Sequence, residues 1–166
     1  MTLIAKLLGW FESILAAACA ICFAVMFVLG VATVFFRFVV ESSLAFPEEL
    51  IRYLFVWATA LGSAVAYRRN AHAAIGILVD HLPSGLKRAA LLVGTTASAM
   101  FFAILLYEGI GLSARVVPQI SPALEISMAW VYAAVPTGGF FLLLFSVELL
   151  VKQATMPASQ LIANSH

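Results

Sequence analysis

Charge is what this sequence has least of. Of its 166 residues only 10% are charged and 64% are hydrophobic, where a soluble domain carries roughly 25% charged residues. So few ionisable groups could not cover the surface of a water-soluble fold, and a net charge of +1 gives no electrostatic basis for a nucleic-acid partner. Cysteine is almost absent: Cys19 and Cys22 are the only two. Their spacing is that of a redox pair, but both sit in an apolar stretch where a thiolate is strongly disfavoured, so they read as small packing residues. The three histidines, His72, His81 and His166, all fall outside the apolar stretches, which argues against haem ligation between helices. No zinc-ligand spacing occurs, and no segment alternates over ten residues as an outer-membrane barrel strand would.

What is present is a set of long apolar blocks. A helix crossing a bilayer needs about 20 mostly apolar residues. Four stretches qualify, at about 13–36, 50–67, 89–112 and 126–151. The first contains no charge. The others carry Arg52, Glu108 and Glu148, each close enough to a boundary to reach the headgroup region. The expected fold is an all-α integral membrane protein of four transmembrane helices. Residues 1–153 form one membrane domain and 154–166 a short polar tail. Glu12 and the length of the first block argue for an uncleaved anchor rather than a signal peptide, despite the Ala16-Ala17-Ala18-Cys19 run.

Lys and Arg set the orientation. Lys6, Arg68, Arg69, Lys87, Arg88 and Lys152 lie on the side of the N-terminus, against Arg37, Arg52 and Arg115 on the other. This asymmetry puts both termini and segment 68–88 in the cytoplasm. Trp10 and Tyr67 would then mark the inner interface, and Tyr53, Tyr107, Trp130 and Tyr132 the outer one.

The connecting segments carry the remaining polar residues. In the outer segment 37–49, Pro47 suits the first turn of a helix. Glu48 and Glu49 fall at that helix's positive end. Arg52 lies four and three residues beyond them and can reach either carboxylate along one face. Two readings follow: a charge-neutralised helix start, or one carboxylate paired and the other free for a partner. In segment 68–88, Ile75, Leu78, Val79 and Leu82 share a helical stripe, which predicts a short amphipathic helix in the interface plane, closed by Pro83-Ser84-Gly85. Arg68, Arg69, Lys87 and Arg88, with His72 between them, lie at headgroup depth and suit anionic lipid. In the outer segment 113–125, Pro118 and Pro122 predict an extended chain. Small residues recur every four positions: Ala58, Gly62 and Ala66 in the second span, Ala90, Gly94 and Ser98 in the third, Ala134 and Gly138 in the fourth. Such stripes allow close helix approach, within the chain or against a larger partner. A transport site would show a midplane acid or a broken helix. None is seen, which weighs against a self-contained four-helix exporter acting as a homodimer.

The run Pro47-Glu48-Glu49-Leu50-Ile51-Arg52-Tyr53-Leu54-Phe55-Val56-Trp57, followed by Leu61-Gly62-Ser63-Ala64-Val65-Ala66, Arg68-Arg69, His72 and Leu82-Pro83, resembles the small membrane subunit of tripartite ATP-independent periplasmic (TRAP) transporters. The likeness extends over the chain in span number and segment length. The chain departs from the pattern at Gly76, where relatives usually carry an acid four residues after the histidine. The resemblance implies a scaffold in the bacterial inner membrane, neither enzyme nor substrate carrier, with no cofactor of its own. A large elevator-type subunit would bind Na⁺ and substrate, and a periplasmic binding protein would deliver an organic acid. It also implies that Glu48, Glu49, Arg52, Arg37 and Arg115 contribute to docking on the periplasmic side.

Overall fold

In the computed structural model the chain is described over residues 3–40, 45–70 and 84–155, and over these it is helical almost throughout. Helix α1 spans Leu3–Val39, α2 Ala45–Asn70, α3 Ser84–Arg115, the one-turn α4 Ala129–Tyr132 and α5 Ala134–Thr155. Four segments are long and apolar enough to cross a membrane: Lys6–Val39, Phe46–Arg69, Ala89–Arg115 and Ala129–Thr155. Each contains most of an expected span and runs a turn or more beyond it. Helices continue into the polar boundary because the backbone cannot leave its hydrogen bonds unmade in lipid. The interfacial helix expected in 68–88 falls mostly on 71–83, outside the described residues, and so does His72.

The fourth span, Ala129–Thr155, is one helical run with a single bond missing from its ladder, because Pro136 has no N–H to give to the carbonyl of Tyr132. Ala133, between α4 and α5, keeps helical backbone angles, φ −59° and ψ −18°. Its N–H bonds Ala129 at 2.9 Å, and Thr137 N–H bonds Ala133 at 3.2 Å. Pro136 then sits in the first turn of α5, where a missing donor costs little.

Segment 116–128 is not the extended chain that Pro118 and Pro122 predict. It folds back on itself through an isolated bridge between Ile120 and Ser127. Ser121 N–H bonds Ile126 at 2.9 Å and Met128 N–H bonds Gln119 at 2.8 Å. The donors used all belong to non-proline residues, so the prolines do not oppose the turn. Glu125 takes a left-handed backbone, φ 54°, to close it.

Packing is serial: α1 lies on α2, α2 on α5, and α5 on α3. The core is thin, built of Leu8, Leu15, Leu61, Ala64, Val65, Leu142 and Phe145. Most large apolar side chains point outward, Phe27 and Phe38 among them, as expected where the surroundings are hydrocarbon rather than water. Hydroxyls inside the spans bond their own helix. Thr33, Thr59, Thr95, Ser98, Ser113 and Thr137 each donate to the carbonyl four residues back, which satisfies these donors without water.

Close approach is made by small residues, though not all those of the predicted stripes. Ala58 and Ala134 are buried, and Ala66 is exposed. A Cβ at Gly138 would lie 3.0 Å from the Cβ and 3.1 Å from the carbonyl oxygen of Ala60. One at Gly62 would lie 3.3 Å from the Cys19 sulfur. Gly94 is half-buried and accepts at its carbonyl from Ser98. Two glycines outside the stripes matter as much: Gly109 fits against the Pro136 backbone and Gly139 against the Leu106 backbone. Gly109 lies outside the predicted stripes because it faces the Pro136 ring and backbone rather than a second row of small residues.

Candidate functional site

The polar residues gather at the two ends of the helices. At the end where α1 begins and α2 finishes, Arg68 holds three helices together. Its Nε donates to Glu148 of α5 at 3.1 Å, and another guanidinium nitrogen donates to Glu12 of α1. Its guanidinium carbon stands 5.2 Å from the centre of the Phe145 ring. Arg69 Nε reaches the other oxygen of Glu12 at 2.7 Å, and Lys152 pairs with Glu148 at 2.7 Å. Arg68 is 16% exposed and Glu148 9%. The lipid-contact expectation for Arg68 is therefore corrected: burial and two carboxylates claim its donors. Arg69 is mostly exposed, so it keeps access to the boundary while bracing Glu12. Lys87 and Arg88 lie in the first turns of α3, and their side chains fall outside what is described. Tyr67 also turns inward, its hydroxyl 3.3 Å from Ser146 and its ring edge-on to Phe102.

At the opposite end lies the start of α2. Glu49 is buried, at 3% exposure. One carboxylate oxygen accepts from the Tyr53 hydroxyl, and the other accepts from Ala123 N–H at 2.7 Å. This clasp ties α2 to the folded-back segment 116–128. A second tie runs from Trp57 Nε1 to the Trp130 carbonyl at 3.2 Å. Arg52 pairs with neither Glu48 nor Glu49 among the described residues, contrary to the spacing rule. Glu49 has better donors in Tyr53, one turn on, and in an amide distant in sequence. Glu48 and Arg52 are both exposed on the outer face of α2. Arg37 at the end of α1 and Arg115 at the end of α3 are exposed as well. Glu49 is thus held by Tyr53 and Ala123, not by the Arg52 that the spacing offered, while Glu48 is exposed.

Between the ends, an apolar groove of about 350 Å³ opens beside α2, α3 and α5. Val56, Thr59 and Ser63 form one wall and Leu105 and Gly138 lie opposite. Both wall hydroxyls are spent on their own helix, Thr59 on Phe55 and Ser63 on Ala60. Cys19 and Cys22 are free thiols, and Cys19 donates to the Ala58 carbonyl across the α1–α2 contact at 3.4 Å. Among the described residues no three His, Cys, Asp or Glu side chains converge as metal ligands.

Four apolar helices, with their charges used for bracing at one end and displayed at the other, define a membrane protein whose polar groups hold structure and present surface. The chain belongs to the DctQ component family of tripartite ATP-independent periplasmic transporters, whose pattern it matches over residues 26–156. It is 33% identical over 98 residues to the C4-dicarboxylate TRAP transporter small permease protein DctQ of Rhodobacter capsulatus, covering 58% of this chain and 43% of that one. It is 27% identical over 127 residues to a putative TRAP transporter small permease protein of Haemophilus influenzae, covering 72% and 77%. It is 31% identical over 110 residues to the ectoine TRAP transporter small permease protein TeaB of Halomonas elongata, covering 65% and 57%. The matches to the Rhodobacter and Halomonas relatives thus leave a large part of each relative's length unspanned. The family is a transporter component and not an enzyme family.

Proposed function

We propose that this chain is the small, non-substrate-binding subunit of a Na⁺-coupled TRAP transporter in the bacterial inner membrane. It packs on a large elevator-type transport subunit and helps dock a periplasmic protein that delivers an organic acid. Both termini lie in the cytoplasm, as the Lys and Arg asymmetry requires. The observation that carries the reading, beside family membership, is how the polar groups are used. Glu12, Arg68 and Glu148 brace three helices, and Glu49 clasps the turn after α3. Such groups rigidify a scaffold and leave no arrangement for carrying an ion through it. A homodimeric exporter finds no support in them. One relative is named for C4-dicarboxylate and another for ectoine, so the family spans more than one substrate, and the choice belongs to the large subunit and the binding protein.

The exposed Arg37 and Arg115, in the last turns of α1 and α3, supply positive charge on the periplasmic side for docking. Glu48 and Arg52 stand apart from them on the groove face of α2. Vesicles holding this chain alone should take up no substrate under a Na⁺ gradient, and uptake should require both the large subunit and the binding protein. Uptake by the chain alone would overturn the scaffold reading. In the complete system, Arg37→Ala with Arg115→Ala should raise the binding-protein concentration for half-maximal uptake several-fold at low salt. The difference should shrink at high ionic strength as screening replaces the lost charges.

A further inference from the structure

The groove beside α2 has an unpaired cation at its mouth. At 3.6 residues per turn, Glu48, Arg52, Val56, Thr59 and Ser63 fall within an arc of about 80° on α2. The three apolar-facing members of that series wall the groove. Arg52 stands one turn above Val56, about 6 Å along the axis, and Glu48 another turn above Arg52. Both are exposed, and among the described residues neither has a hydrogen-bond or ion-pair partner. An arginine on the lipid face of a spanning helix is costly without a counter-charge. Its neighbour Glu49 is turned away into the clasp with Tyr53 and Ala123.

The order along this face, from the membrane interior outward, is apolar slot, guanidinium, carboxylate. We propose that it is a binding site for one phospholipid with a protonated amine in its headgroup, of the phosphatidylethanolamine class. An acyl chain lies in the groove along Val56, Thr59 and Ser63. The phosphate meets Arg52, whose planar fork of donors suits two phosphate oxygens. The ammonium, attached beyond the phosphate, meets Glu48. The groove's own polar atoms are spent on internal bonds, which fits a hydrocarbon occupant. The paired opposite charges above it fit a zwitterionic headgroup better than one that is only anionic. The site is independent of the docking role given to Arg37 and Arg115, and its test reads bound lipid rather than uptake.

The test uses the membrane complex containing this chain, purified in mild detergent. It is exchanged into nanodiscs of equal phosphatidylethanolamine and phosphatidylglycerol, then released and weighed by native mass spectrometry. The parent should retain one phosphatidylethanolamine tightly. Arg52→Gln should lower that retention roughly tenfold, the scale of one lost charge-assisted contact, and Arg52→Lys should lower it less. Glu48→Gln should keep a lipid but erase the preference over phosphatidylglycerol. Ser63→Phe, a change at an exposed position, should fill the slot and expel the lipid while the complex stays assembled. Equal retention of both lipids by the parent, or unchanged retention in Arg52→Gln or Ser63→Phe, overturns the proposal. So does a photo-crosslinker at position 63 that captures a helix of the large subunit in place of lipid.

Discussion

At the scale of single residues, Arg68 concentrates more of the structure than any other polar side chain described. It joins Glu12 of α1 and Glu148 of α5 from its place on α2, with its guanidinium against Phe145. Removing one member of a buried ion network leaves the others charged and unpaired, which costs about 3–5 kcal/mol. Arg68→Ala should therefore lower the thermal midpoint of the purified complex markedly. Arg68→Lys should recover only part of the loss, since one ammonium cannot present the two directed forks that Glu12 and Glu148 use. Arg69→Ala, at a side chain 60% exposed, should cost no more than about 1 kcal/mol. Equal midpoints for Arg68→Ala and Arg69→Ala would show that the network adds nothing to stability. The sequence placed Arg68 near the end of its span and offered it lipid, where the structure gives it two carboxylates. Basic residues near a span end look alike whether they meet lipid or a carboxylate from another helix. Here the carboxylates lie 56 and 80 positions away.

At the scale of elements, helix contact is set by glycines facing backbone. Gly138 admits Ala60 so closely that even an added Cβ, 3.0 Å from the Ala60 Cβ, requires a small shift, and a large side chain presses α2 and α5 apart. Gly138→Leu should cost on the order of 1–3 kcal/mol as overpacking and lower the yield of assembled complex. Gly30→Ala, where nothing lies within 4 Å of the added carbon, should be neutral or mildly stabilising. If the two variants assemble equally well, close α2–α5 approach is not what holds this face. The same scale explains why segment 113–125 is not extended. Its prolines suggested an extended chain, yet the turn closes through donors on Ser121, Glu125 and Met128. The single fourth span that the apolar block suggested runs over Ala129–Thr155, with Pro136 withholding one hydrogen bond of its ladder.

At the scale of the whole molecule, the distribution of Lys and Arg predicts a topology that does not depend on packing. A reporter fused after Gln153 should be active only if that end is cytoplasmic, and a fusion near Arg115 only if that end is periplasmic. Periplasmic activity after Gln153 would reverse the orientation. It would also move Arg37 and Arg115 to the wrong side for a periplasmic partner. The outward-facing surface suits hydrocarbon surroundings. Large apolar side chains crowd the outer faces of α1 and α3, and the main core cluster among the described residues has seven buried members.

Hydropathy sums along the chain, so the sequence by itself determined the number of spans, their approximate limits and the helical, strand-free architecture of the described residues. Even α2, the least apolar span at a mean hydropathy of 1.4, was legible. The family resemblance that runs through Glu48, Glu49 and Arg52 was legible too. Which acid is spent and which is free was decided only in three dimensions. Glu48 and Glu49 are adjacent in sequence but about 100° apart around the helix. That rotation turns one toward Ala123, 74 residues on, and leaves the other outside with Arg52 above the groove. The Glu12–Arg68–Glu148 brace, the Gly109–Pro136 fit and the groove itself likewise depend on which helix lies beside which. Local composition carries no record of that choice, because any apolar helix face satisfies lipid equally well and only side-chain shape and pairing select the neighbour.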